Sequence, residues 1–155
     1  MKRGIAAILA VLFVISIPAQ AGLGSNKAMY MGGTVTSLKE QTEGNTSTAD
    51  EKTFSFTHKD GKLVVPYDRI NDLEYGQKAG RRIGLAIAIS PWLLLSKKRK
   101  HFLTVGYKDE NDKQQAAVFQ LGKDIVRTTL ASMEARTGKK IDYQDDEARK
   151  SGLGN

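Results

Sequence analysis

The hydrophobic period of this chain changes once, between Leu121 and Lys123, and that change limits the folds open to it. Before it, apolar residues recur at every second position, the spacing of strands that bury one face. Lys52–His58 sets Phe54, Phe56 and His58 on one side and Thr53, Ser55 and Thr57 on the other. His101–Lys108 aligns His101, Leu103, Val105 and Tyr107, and Gln115–Leu121 aligns Ala117, Phe119 and Leu121. After it, Val126, Leu130, Met133 and Thr137, with Ile125 beside them, form the stripe of one amphipathic helix over Lys123–Thr137. Gly138 stands where a left-handed C-cap is wanted, and Lys139 and Lys140 suit the negative helix end. The expectation is a β-rich body closed by a helix.

The remaining strands are shorter. Ala28–Leu38 is read as a strand, and Gly32-Gly33 inside it predicts a bulge or a close backbone approach. Lys39–Glu51 is a polar loop without apolar periodicity. Asn45-Thr46-Ser47 within it fits the three-residue glycosylation sequon, a match with meaning only in a host that glycosylates. Lys59-Asp60-Gly61-Lys62 predicts a hairpin into the return strand Leu63–Tyr67. Pro66 lacks an N–H, so that strand is at an edge or ends there. Ile70–Tyr75 is another short strand, closed by Gly76, and Asp109–Asp112 is a turn. Gln144–Asn155 reads as a flexible charged tail.

The N-terminus reads as an export signal. Lys2 and Arg3 precede an apolar run, Ile5–Ile17; Pro18 ends it, and Ala19-Gln20-Ala21 offers small residues to a signal peptidase. The run is shorter than the roughly 20 residues of a membrane-spanning helix. Residues 1–21 are therefore read as a cleaved signal peptide, 22–27 as a flexible leader and 28–143 as one domain. The expected location is periplasmic or extracellular, free or held peripherally at a membrane. The chain has no cysteine, which excludes a lipid-modified N-terminal Cys and any disulfide. Core packing alone must hold the domain. The net charge is +7, and the balance stays positive after Lys2 and Arg3 are removed. Such a balance favours an anionic partner without selecting one. A membrane face or an envelope polymer fits an exported chain, and nucleic acid does not. Nothing in the sequence sets an oligomeric state.

One segment departs from the pattern. Arg81 and Arg82 precede an apolar run from Ile83 to Leu95, and Lys97, Lys98, Arg99 and Lys100 follow it. As a helix the run would reach about 20 Å, short of the roughly 30 Å hydrocarbon core. Two readings stand. In one, Ile83–Ile89 is a buried strand, broken by Ser90-Pro91, with Trp92–Leu95 packed at the domain end. In the other, Trp92 and Leu94 dip into a bilayer face or a partner. Arg81, Arg82, Lys97, Lys98, Arg99 and Lys100 then meet anionic headgroups, each adding about 1 kcal/mol near a charged surface.

Catalytic chemistry is sparse. The only histidines, His58 and His101, fall in separate strands, so no zinc pattern of usual spacing can be written. No nucleophile elbow, Ser-x-x-Lys pair, P-loop or dinucleotide fingerprint is present. Asp142, Asp145, Asp146 and Glu147 cluster without the glycine-turned loop of a calcium site, which favours a solvated tail over a cation site. No catalytic residue, metal or cofactor is expected.

Five stretches carry a family resemblance. They are Thr53-Phe54-Ser55-Phe56, Leu63-Val64-Val65-Pro66-Tyr67-Asp68-Arg69-Ile70, His101-Phe102-Leu103-Thr104-Val105, Ala117-Val118-Phe119 and the helix from Asp124. With the apolar segment counted as a strand, the order is seven strands and a C-terminal helix. This resembles the pleckstrin-homology-like superfold, particularly its GRAM-like versions, and exported bacterial proteins of that kind, over about residues 28–143. The resemblance implies a mainly β (α+β) fold: a seven-stranded sandwich or partly open barrel, closed by the helix and used for binding rather than catalysis. Lipid-binding members carry basic residues in the first hairpin loop. Here Glu40, Glu43, Asp50 and Glu51 outnumber Lys39 and Lys52 there, and the positive charge has moved to residues 81–100.

The expected function is an exported, non-enzymatic binding module touching an anionic envelope or membrane surface through residues 81–100. The alternative is a protein-interaction or structural module that uses a sheet edge or the groove beside the helix.

Overall fold

The computed structural model describes residues 23–24, 26–77 and 100–154. The expected signal peptide and residues 81–99 lie outside them. Along the described chain run β1 (Ala28–Gly33), β2 (Thr42–Ser47), β3 (Thr53–His58), β4 (Gly61–Pro66), a single 3-10 turn (Tyr67–Arg69) and β5 (Ile70–Gly76). Then come β6 (His101–Lys108), β7 (Gln114–Leu121), α1 (Val126–Thr137), β8 (Asp142–Tyr143) and α2 (Asp146–Leu153). The strands form one open sheet in the order β4-β3-β2-β1-β7-β6-β5-β8. All pairings are antiparallel except β5 with β8. The fold is mainly β with a C-terminal helix, as the change of period predicts.

The sheet curls over its own apolar face. Phe54 and Phe56 of β3 lie 5.6 and 5.1 Å from Phe119 of β7 between ring centroids, although β2 and β1 separate these strands in the ladder. Phe54, Phe56, Leu103, Val105, Ala117, Phe119 and Leu121, apolar residues that alternation assigned to one face, are buried in one core, while His58 and His101 on the same faces are half-buried. Val126, Leu130 and Met133 of α1 complete it, with Thr129 buried beside them. Gly138 ends α1 at φ 67°, its N–H donating to the Glu134 carbonyl.

Six of the seven expected strands are present; the seventh, Ile83–Ile89, falls outside the described residues. The bulge in β1 falls between Tyr30 and Gly32, and Gly33 passes close to the Ala116 carbonyl of β7, so both readings of the glycine pair hold. β1 stops at Gly33 rather than Leu38, because the chain turns at Val35–Leu38, where the Leu38 N–H donates to the Val35 carbonyl. The β3–β4 hairpin turns on Lys59 and Asp60, since His58 pairs with Gly61. β4 is the sheet edge and Pro66 its last residue.

Two stretches correct the sequence reading. Thr42–Ser47 is a strand inside the expected polar loop. Its inward positions, Thr42, Gly44 and Thr46, are small because the Phe56 ring lies against β2. A Cβ on Gly44 would sit 2.7 Å from that ring and 2.3 Å from the Thr57 carbonyl oxygen. A strand padded by a neighbour's aromatic carries no apolar alternation of its own. The second correction is the expected flexible tail, whose residues 146–153 form α2. The Asp145 carboxylate accepts the Ala148 N–H at 2.7 Å and caps it, while Asp146 and Glu147 suit its positive end. Ala148 and Gly152 are buried, and Gly152 allows the helix to approach Tyr75, Leu130 and Tyr143.

A smaller apolar cluster, Met31, Phe102 and Val118 with Met29, occupies the opposite face of β1, β7 and β6. The central strands are therefore apolar on both faces.

Candidate functional site

Strand register fixes which connections share an end of the sheet. β2, antiparallel to β1, ends on the side where β1 starts, and β3 begins there. Ala28 at the start of β1 pairs with Leu121 at the end of β7, and Leu121 with His101 at the start of β6. One step on, Phe102 pairs with Gly76. The chain thus leaves β5 and enters β6 at neighbouring points on this end, and residues 77–100 join them. The same end carries Lys27, Lys52, Lys100 and Lys123 in its connections, with Asp50, Glu51 and Asp124 as the acids. The acidic start of α2 lies toward its β8 edge. The opposite end holds Glu40, Asp60, Asp109, Glu110 and Asp112 against Lys39, Lys59, Arg69 and Lys113. By sequence the 77–100 connection adds Arg81, Arg82, Lys97, Lys98 and Arg99 to the first end, which is the basic one for that reason.

Of the residues assigned to surface contact, Arg81, Arg82, Trp92, Leu94, Lys97, Lys98 and Arg99 lie outside the described residues. Lys100 is described, half-buried, and immediately precedes β6. Among the described residues no helix is long and apolar enough to cross a membrane.

The basic end also holds a polar cluster that alternation alone does not reveal. The Tyr75 hydroxyl is 2.6 Å from Nδ1 of His101 and 3.1 Å from Oγ of Ser151, which lies 3.3 Å from the same nitrogen. The Tyr75 and His101 rings are nearly parallel, at 11°, with centroids 6.2 Å apart. β5 and β6 supply the rings, and α2 delivers the serine. Burial holds the His101 imidazole below its ordinary 6.5 and pushes the Tyr75 phenol up. His101 also lines a groove of about 450 Å³ with Lys123, Asp124, Arg127, Thr128 and Ser151.

His58 is separate from this cluster. It stacks on Phe56 at 5.9 Å, and its Nδ1 accepts the Asp60 N–H at 3.4 Å, so it serves the β3–β4 hairpin. The four clustered carboxylates are divided between β8 and the start of α2, and no cluster suited to a metal ion occurs among the described residues. Glu74 is buried at 2% exposure. Its Oε1 accepts the Gln144 side-chain amide at 2.7 Å, and its Oε2 has no hydrogen-bond partner among the described residues.

Sequence reasoning found His101 and missed Tyr75, Ser151, Lys123 and Arg127 as its neighbours. The usable signal was Asp145-Asp146-Glu147, an acidic helix start that brings Ser151 back onto the sheet. Comparison with known proteins adds no relative: neither a scan against protein-family models nor a search of curated proteins finds a match.

Proposed function

We propose that this chain is an exported, non-enzymatic binding module that meets an anionic envelope or membrane surface with the basic end of its sheet. The observation that carries the reading is the pairing of Gly76 with Phe102. Both ends of the 77–100 connection leave the sheet side by side, at the end that carries Lys27, Lys100 and Lys123 and away from the acidic β6–β7 turn. That connection brings Arg81, Arg82, Lys97, Lys98 and Arg99, and the apolar side chains Trp92 and Leu94. Cationic and apolar groups together suit the interfacial layer of an anionic bilayer. The fold in this reading is pleckstrin-homology-like, of the GRAM-like kind. Seven antiparallel strands in one curled sheet, if the short β8 is set aside, followed by a core-packed helix, support that assignment. The N-terminal signal supports a periplasmic or extracellular location.

Flotation on phosphatidylglycerol vesicles tests the function. The chain floats with anionic vesicles and not with neutral phosphatidylcholine, and Trp92→Ala with Leu94→Ser releases it. A double variant that floats as well as the parent contradicts the reading.

The second reading, a protein-binding module without membrane contact, draws on Val64 and Leu153. These large apolar side chains are 46% and 48% exposed, one on the β4 edge and one on α2 beside a groove with Ile141 and Tyr143. Salt separates the two. The screening length falls from about 10 Å at 0.1 M to about 3 Å at 1 M, so binding to an anionic surface weakens steeply and apolar docking does not.

A further inference from the structure

We infer that the groove between the start of β6, the turn into α1 and the end of α2 is a binding site for a phosphate group. This deepens the surface reading by naming the chemistry the basic end recognises, and it stands on described residues alone. The groove presents Lys123, Arg127, Thr128 and His101 to one space of about 450 Å³. Asp124 also lines it, and no ion pair joins that carboxylate to Lys123 or Arg127 among the described residues. Among the described residues Arg127 donates only to the Gly154 carbonyl, at 3.2 Å, which leaves most of its guanidinium donors for a ligand.

The inner side of the groove sets the role of the histidine. Nδ1 of His101 faces Tyr75 and Ser151, so Nε2 is the nitrogen left for the groove. In this assignment the Tyr75 phenol, kept protonated by burial, donates to Nδ1. The single proton of the neutral imidazole then sits on Nε2 and points outward. Lys123, Arg127 and Nε2–H offer donors without acceptors, and the Thr128 hydroxyl can donate as well. Such a set matches an oxyanion with several acceptor oxygens and disfavours a cation or a neutral sugar.

Inorganic phosphate, followed by His101 imidazole and backbone amide shifts, is the first probe. The inference expects saturable shifts confined to the groove, with Kd on the order of millimolar, as suits a few exposed charged contacts. Lys123→Gln and Arg127→Gln each weaken binding about tenfold, and Lys113→Gln at the acidic end leaves it unchanged. Non-saturating shifts, or equal weakening by Lys113→Gln, overturn the site. Phosphatidylglycerol vesicles then identify the source of the phosphate. If the Lys123→Gln, Arg127→Gln double variant loses phosphate binding and flotation together, the group is a lipid headgroup. If it loses phosphate binding and still floats, the group belongs to a soluble phosphate. Saturable phosphate binding in a chain that never floats leaves the groove standing and removes only the surface reading.

Discussion

Phe119 is the side chain on which the curl of the sheet turns. It meets Tyr30, Phe54 and Phe56 at centroid distances of 5.9, 5.6 and 5.1 Å. Phe119→Ala is expected to cost about 3–5 kcal/mol in urea unfolding, because the rings around it belong to strands that cannot collapse independently. Gly44 is the complementary case. Gly44→Val forces a side chain into the Phe56 ring and the Thr57 carbonyl and costs about 1–3 kcal/mol. His101 has a sign that can be worked out. Burial depresses its folded pKa below 6.5, so the unfolded chain takes up the proton first as pH falls. Its contribution to stability is complete above 6.5 and fades below it. Unfolding free energy should therefore decline through mild acid, and His101→Gln should flatten that decline. Phe54, Phe56 and Phe119 were legible as core from alternation alone. Tyr75 and Ser151 were not, because the hydrogen bonds that join them to His101 span 26 and 50 positions of sequence.

At the scale of the element, a strand or helix was legible wherever it owns the apolar surface it buries. β3, β6, β7 and α1 do, and the sequence reading of each agrees with the structure apart from a few terminal residues. β2 does not; its inward face is Thr42, Gly44 and Thr46, and its burial comes from Phe56 on the neighbouring strand. α2 buries only Ala148 and Gly152, so its short charged sequence resembles a tail until Asp145 is recognised as its cap. Asp145→Ala is expected to destabilise α2 by about 1 kcal/mol, read as faster amide exchange over 148–153. It should also loosen Ser151 from Tyr75 and His101, shifting the His101 ring signals without unfolding the sheet.

For the whole molecule, all five tyrosines are held above the ordinary phenol value by burial, Tyr30 to about 12. A folded pKa raised in this way gives stability that is complete below 10 and lost as pH rises toward the folded values. Ultraviolet titration should show most phenols ionising together with unfolding rather than near 10. The larger property of the molecule is where the 77–100 segment joins the sheet, at the end of Lys27, Lys100 and Lys123 and away from the acidic β6–β7 turn. The sequence shows the charge at residues 81–100; only the register shows that Lys27 and Lys123 share its end. Trp92, the single tryptophan, stands inside that segment and reports on it directly. The decisive measurement is its emission during titration with phosphatidylglycerol vesicles. The account expects a blue shift on binding, quenching by brominated lipid, and reversal of both at high salt. Emission that ignores the vesicles at every salt concentration contradicts it.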